Sequence, residues 1–430
     1  MRQFKFGSAL LITLILVGCG GGGSDVPAKP KFTSQVSFGD SLSDVGTYNV
    51  GEVAAAGGGQ FTINGPNANG KAANGNNIIN WTEVMAMNLG LTAPCPAWTG
   101  MVDFPLSTTV TPTNVPPVLH AGCTGYAQGG ARVTLANGIH NYLNNAYGPS
   151  LGGHELTYPV AQQITQYLTD HNQKFSGNEI VYVMAGANDL AYQLSVLIGT
   201  ATAVGTAAAN AAVTAEIGVL VAASDPNCIA PNSPASLTCQ GAAVAALGGA
   251  AAVQAIGNNA ANTYVAANAP AAGLAMATAA TELVGYVNTQ ILGKGAKYVV
   301  VTNMGDFASV PATASYSQAQ KDTLITPMIT AFNDVLKAGL ATNANVAYLD
   351  FYASSKDQIA NPAKYGLTNV RTPACNNTNA RALYCNASTL ITGVTADSHY
   401  LFADDRHPTP YGYALIAQGV LQAMTAKGWY

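Results

Sequence analysis

"NEIVYVMAG", residues 178–186, is the stretch on which the fold turns. It is short, rich in β-branched and apolar residues, and apolar at consecutive positions rather than alternate ones. A strand with one wet face alternates in polarity. A strand covered on both faces does not, so this one belongs inside a sheet with helices above and below.

The same signature recurs on both sides. "TSQVSF" (33–38) reads as a strand ending at Gly39, "AKYVVVTNM" (296–304) as another, and "NVAYLDF" (345–351) as a fourth. Helical periodicity fills the intervals. "NNIINWTEVMAMNLGL" (76–91) has apolar residues at helical spacing and a glycine near its end. "YPVAQQITQYLTDHNQKF" (158–175) is amphipathic, "TPMITAFNDVLKAGLAT" (326–342) is helical, and "PYGYALIAQGVLQAMTAK" (410–427) closes the chain. Strands alternating with helices predict an α/β fold with a mostly parallel sheet covered on both faces. Ligands in such folds bind at the carboxyl ends of the strands.

One segment breaks the rhythm. Residues 191–287 are Ala-rich, nearly uncharged and interrupted by "SDPNCIAPNSPASLTC" (224–239). Alanine favours helix, so this reads as a helical insertion of two or more helices with a disulfide-closed loop between them. Its Asn, Gly and Pro residues read as breaks too frequent for a membrane span. The insertion either packs on the sheet or forms a lid or lipid-facing cap near the site, and the first reading is preferred.

Composition bounds the rest. The chain has 430 residues, a net charge of −4 and only 9% charged residues, against roughly 25% in ordinary soluble domains. That suits an exported protein. It argues against nucleic acid as a partner, which requires a basic face. The N-terminus "MRQFKFGSALLITLILVGCGGGGSD" places Arg2 and Lys5 before an apolar run too short for a span of about 20 residues. The run ends in "LVGC", which resembles a bacterial lipoprotein signal cut before Cys19. Residues 1–18 would be the signal peptide, Cys19 the lipidation site and membrane anchor, and 19–31 a flexible tether. Gly20, not Asp, follows the cysteine and favours the outer membrane of the cell envelope. The alternative is an ordinary secretory signal. From about residue 32 to 430 no linker marks a domain boundary.

Beyond Cys19 there are six cysteines: Cys95, Cys123, Cys228, Cys239, Cys375 and Cys385. An even number in an exported chain suggests disulfides. Local pairing, 95–123, 228–239 and 375–385, is the simplest of the possible connectivities. No C-x-x-C pair points to zinc or redox chemistry.

"VSFGDSLSDVG" (36–46) sets Asp40, Ser41, Ser43 and Asp44 directly after a buried strand. A serine in that place is a nucleophile only if the chain supplies a base and oxyanion donors. Of the six histidines, His407 alone has a strongly patterned setting, "FADDRHPTPYGY" (402–413). Asp404, three residues earlier, can meet the imidazole on one turn, and Asp405 is a rival with poorer geometry. "GYAQGGAR" (125–132) puts Gly129 and Gly130 in a turn whose N–H groups can point into a site. Asn188, in "MAGANDL" after the strand, carries two N–H donors.

Together these four segments resemble the GDSL lipase/esterase family, also called SGNH hydrolases. "FGDSLSD" looks like its first block, "YAQGGA" its second, "GAND" its third and "DDRHPT" its last, in family order. "NGNNIINWTEVMA", "FNDVL" and "NPAKYGLTNV" are also similar. The second block departs at Gly125, where an Asn is frequent. The resemblance implies a three-layer α/β/α sandwich over residues 32–430. It implies Ser41 as nucleophile, His407 as base and Asp404 as its orienter. The oxyanion hole would comprise Ser41, Gly130 and Asn188, with no metal and no cofactor. Ester hydrolysis through an acyl-enzyme is the expected activity, on lipid or (lyso)phospholipid acyl esters. A carbohydrate O-deacetylase is the rival enzyme. A surface lipoprotein that binds a partner through the insertion, with hydrolysis incidental, is the rival of another class.

Overall fold

Within one strand, Ile180, Tyr182 and Met184 pack into one hydrophobic cluster while Val181 and Val183 pack into another. That period of two is what a strand buried on both faces requires. The computed structural model describes residues 29–65, 79–101, 115–135, 157–376, 382–395 and 398–430. The expected signal peptide, Cys19, the tether up to residue 28, His140 and His154 lie outside the described residues.

Along the chain, β1 (Ser34–Gly39) is followed by a short α1 (Gly51–Ala55) and by α2 (Trp81–Leu89). β2 (Trp98–Met101) and β3 (Val115–Leu119) pair antiparallel as a separate ribbon. α3 (Val160–Asp170) leads to β4 (Glu179–Met184). The helical insertion comprises α4 (Ala187–Ala222), α5 (Leu237–Ala246) and α6 (Ala250–Tyr286). Then come β5 (Tyr298–Thr302), the single turn α7 (Gln318–Gln320), α8 (Thr326–Leu340), β6 (Val346–Leu349), α9 (Phe351–Ala360) and α10 (Pro410–Ala426).

The main sheet has the order β1-β4-β5-β6, and every pair is parallel. The free edge of β1 is covered by residues 124–128: Ser37 N–H donates to Thr124 O, Tyr126 N–H to Ser37 O and Gln128 N–H to Gly39 O. One face packs α3, α6 and α8 against Val36, Val181, Val299 and Val301. The other packs α2 and α10 against Ile180, Tyr182, Val300 and Ala347. This is the three-layer α/β/α arrangement. Each fully buried Val, Leu or Ile side chain in these layers contributes roughly 1.5–3 kcal/mol relative to exposure. The three disulfides are Cys95–Cys123, Cys228–Cys239 and Cys375–Cys385, the local set.

The insertion differs from expectation in two ways. It begins at Ala187, so Asn188 stands in the first turn of a 36-residue helix. Its glycines and Asn210 do not break α4, and α6 runs on through Pro270. Surrounding alanines carry enough helix propensity to outweigh a few poor residues. By length and composition α4 is therefore able to cross a membrane, contrary to the reading from its breaks. The insertion also divides its roles. The C-terminal half of α6 packs in the core through Met276, Ala280 and Leu283, whereas the first turns of α4 line a cavity beside Ser41.

Candidate active site

Ser41 follows the carboxyl end of β1, His407 precedes α10, Asn188 follows β4, and Gly130 sits in the turn before α3. Loops and helix starts beyond the strand ends bring residues distant in sequence to one place, as open parallel sheets do. Two glycines let the chain turn there. Gly39 has φ +156°, and a Cβ on it would stand 2.2 Å from Met184 O. Gly186 has φ +111°, and its Cβ would meet the Phe332 ring at 2.6 Å. A side chain at either would push apart β1 and β4, or β4 and α8.

The Ser41 Oγ lies 2.8 Å from His407 Nε2. His407 Nδ1 lies 2.8 Å and 3.0 Å from the two Asp404 oxygens. With Nδ1–H donated to Asp404, Nε2 is the acceptor for the serine hydroxyl, an assignment made from the network. Burial alone would raise the Asp404 carboxyl. The imidazole, together with the N–H groups of His407 and Arg406, holds it well below the usual range. Asp405 is turned away: it grips Arg406 through two contacts, at 2.8 and 3.0 Å. The geometry thus separates the two candidate acids and puts Asp404 on the imidazole. The Phe61 ring packs 5.0 Å from the His407 ring. Other described histidines lie elsewhere; His171, for example, stacks on Tyr167 and His399 on Tyr411.

The acidic residues around Ser41 organise its loop. Asp44 accepts from Gly46 N–H and Thr47 N–H through Oδ1, and from Gly129 N–H through Oδ2 at 2.9 Å. Asp40 Oδ1 accepts from Leu42 N–H, while its Oδ2 is buried with no partner among the described residues. Burial pushes Asp40 up to about 7 and Asp44 up to about 6. The first turn of α2 holds the loop from the other side. Asn80 Nδ2 donates to Leu42 O at 3.1 Å, and Trp81 Nε1 to Ser43 Oγ at 3.2 Å. Asn80 also caps α2 in a capping box with Glu83.

Of the expected oxyanion donors, Ser41 N–H and Gly130 N–H have no acceptor among the described residues. Asn188 Nδ2 donates one hydrogen to Ala131 O at 2.9 Å, which leaves its second N–H free. Gly129 departs from expectation: its N–H is committed to Asp44, so Gly130 alone of the pair retains a free donor. Gly125, where the sequence departs from the family pattern, has no space for a larger residue. A Cβ there would lie 2.7 Å from Val45 Cγ2 and 2.8 Å from Cys95 O.

Sequence reasoning missed the residues that hold these parts in register. Gln163 is fully buried, accepts from Gly39 N–H and donates to Gly39 O, fixing the strand end before Ser41. Arg132 pairs with Asp189 at 2.9 Å, and Asp189 also accepts from Val133 N–H at 3.0 Å. The one available signal was adjacency, since Arg132 stands two residues beyond Gly130 and Asp189 directly follows Asn188. Among the described residues, no group of three or more His, Cys, Asp or Glu side chains could hold a metal ion.

A cavity of about 620 Å³ opens on Ser41 and His407. Residues 229–420 match the family model described as GDSL-like Lipase/Acylhydrolase. The match contains Asp404 and His407; Ser41, Gly130 and Asn188 lie outside it and are brought to them by the fold. The chain is also similar to "Lipase 1" of Photorhabdus luminescens, at 34% identity over 84 residues, which is 20% of this chain and 13% of that protein.

Proposed function

From the match of residues 229–420 to the GDSL-like Lipase/Acylhydrolase model, we propose that this chain is a serine hydrolase of carboxylic esters. The observation that carries the reading is the hydrogen-bonded series Ser41 Oγ, His407 Nε2, His407 Nδ1, Asp404. Beside it stand three donors free to receive an oxyanion.

In the first half-reaction the Ser41 oxygen adds to the ester carbonyl carbon and its proton passes to His407 Nε2. Asp404 fixes the imidazole tautomer and stabilises the imidazolium. The carbonyl oxygen, now negative, is received by the N–H groups of Ser41, Gly130 and Asn188. Collapse breaks the bond to the leaving alcohol, which takes the proton from Nε2. Ser41 is then acylated. Water repeats the sequence: its proton goes to His407, its oxygen to the acyl carbon, and the carboxylic acid leaves as Ser41 recovers its proton.

The substrate class we propose is lipid or (lyso)phospholipid acyl esters. The mainly apolar lining of the cavity favours this over an acetylated carbohydrate, whose hydroxyls would require polar partners. A lipid on Cys19, in the outer membrane, would set the site beside such substrates.

Covalent labelling with a fluorophosphonate tests the mechanism. Wild type should label, and Ser41→Ala and His407→Ala should not. A folded wild type that fails to label removes the reading.

A further inference from the structure

We propose that α4 is the wall that measures the acyl chain, and that Ala191, Leu194 and Ile198 set the length accepted at Ser41. The proposal rests on the ester-hydrolase reading and extends it from a reaction to a specificity device.

The residues of α4 that line the cavity include Asn188, Ala191, Leu194, Ser195 and Ile198. Their spacing of three and four is one stripe of a helix. The stripe begins at the amide that can receive the oxyanion. At a rise of 1.5 Å per residue it runs for about 15 Å before reaching Ile198. An ester whose carbonyl oxygen lies at Asn188 has its reacting carbon fixed at that end. Its alkyl chain has the length of the stripe to follow. Outside α4 the lining includes further apolar residues, Phe307, Val310, Tyr316 and Ile325, with Thr313 among them. The charged lining groups, Asp404, Asp405 and Arg406, all come from the histidine segment, whose Asp405 O accepts from Ala312 N–H. No lining residue of α4 carries a charge. An acetyl group would leave most of this cavity of about 620 Å³ unfilled.

The wall is fixed rather than adaptable. Its first turn is tied by Asp189 to Arg132 and to Val133 N–H. Its far side is buried through Leu197 and Ala201. A rigid wall gives sharp length limits, because interiors resist overpacking.

The test is a series of p-nitrophenyl esters from acetyl upward, assayed on wild type, Ala191→Phe, Leu194→Trp and Ile198→Trp. Wild-type kcat/KM should rise about four-fold per methylene, the equivalent of about 0.8 kcal/mol, until the groove is full. Each variant should cut the series off, Ala191→Phe at the shortest chains and Ile198→Trp at the longest. Beyond each cut-off, activity relative to the acetyl ester should fall ten-fold or more. Val196→Trp, at an exposed position of α4 outside the cavity, should leave the profile as it is. Fluorophosphonate labelling of each variant checks that the site is intact. Cut-offs that do not follow position along α4 overturn the proposal, as does a wild type that accepts acetyl esters alone. A wild type that labels and cleaves nothing at any length instead overturns the ester-hydrolase reading beneath it.

Discussion

Arg132 Nε lies 2.9 Å from Asp189 Oδ1, and both side chains are almost wholly buried. The guanidinium also lies over the Tyr192 ring, 4.1 Å from its centroid. This pair joins the turn that presents Gly130 to the helix that presents Asn188. The two proposed oxyanion donors therefore have a common mechanical support that touches neither Ser41 nor His407.

Burial raises the Asp189 carboxyl, and Arg132 opposes that rise. Arg132→Met removes the opposition and leaves a buried, uncompensated acid. Breaking a buried pair from one side costs roughly 3–5 kcal/mol, which chemical denaturation would read directly. Arg132→Met/Asp189→Leu removes both charges and should recover much of the loss. A single variant within 1 kcal/mol of wild type would show that the pair does not support the site.

The two acids of "DDRH" separate cleanly by their contacts. Asp404 receives the imidazole, whereas Asp405 is part-exposed and paired with Arg406. Asp404→Asn should lower kcat by about 10⁴, because the amide favours the wrong imidazole tautomer. Asp405→Asn breaks a part-exposed pair worth about 0–1 kcal/mol and should leave kcat within a few-fold. Equal losses in the two variants would reverse the assignment of Asp404.

The sheet was legible because its strands are apolar at consecutive positions, as in "IVYVM" and "YVVVT". The disulfides were legible because each joins two cysteines that are consecutive along the sequence. The structure brings the segments singled out in the sequence to one place, but no sequence pattern marked their supports. Asp44 reaches Gly129 across 85 residues, and no local pattern encodes that contact. The expected insertion began at 191, past Asn188, because α4 has no side-chain cap at Gly186 to announce its start. The buried half of α6 was hidden for a different reason. Alanine serves both its core and its wet face, so Ala272 and Ala280 in the core look like their exposed neighbours in sequence.

Asn188 donates one N–H to Ala131 O, and we propose the other for the oxyanion. Asn188→Ala should lower kcat by about 10²–10³, the usual cost of one oxyanion donor, with KM changed far less. A kcat close to wild type, or a loss confined to KM, would take Asn188 out of the oxyanion hole and leave it as a brace for the Gly130 turn.

Asp40 and Asp44 predict how stability depends on pH. Burial raises them to about 7 and about 6 in the folded chain, against about 3.9 when unfolded. Between these values the folded state binds more protons than the unfolded state, so stability falls as pH rises. Both groups contribute to the fall from about pH 4 to 6, and Asp40 continues it to about pH 7, above which it levels off. Asp404 acts with the opposite sign, since it is held low in the fold and its contribution is lost only as pH drops below the unfolded value. Calorimetric Tm between pH 5 and pH 8 separates the two effects, because Asp404 is ionised in both states throughout that window. Wild-type Tm should decline across it. Asp40→Asn, which cannot ionise, should decline less and gain on wild type toward pH 8. Parallel slopes for the two proteins would mean that Asp40 is already charged in the folded chain, with its buried Oδ2 satisfied by water.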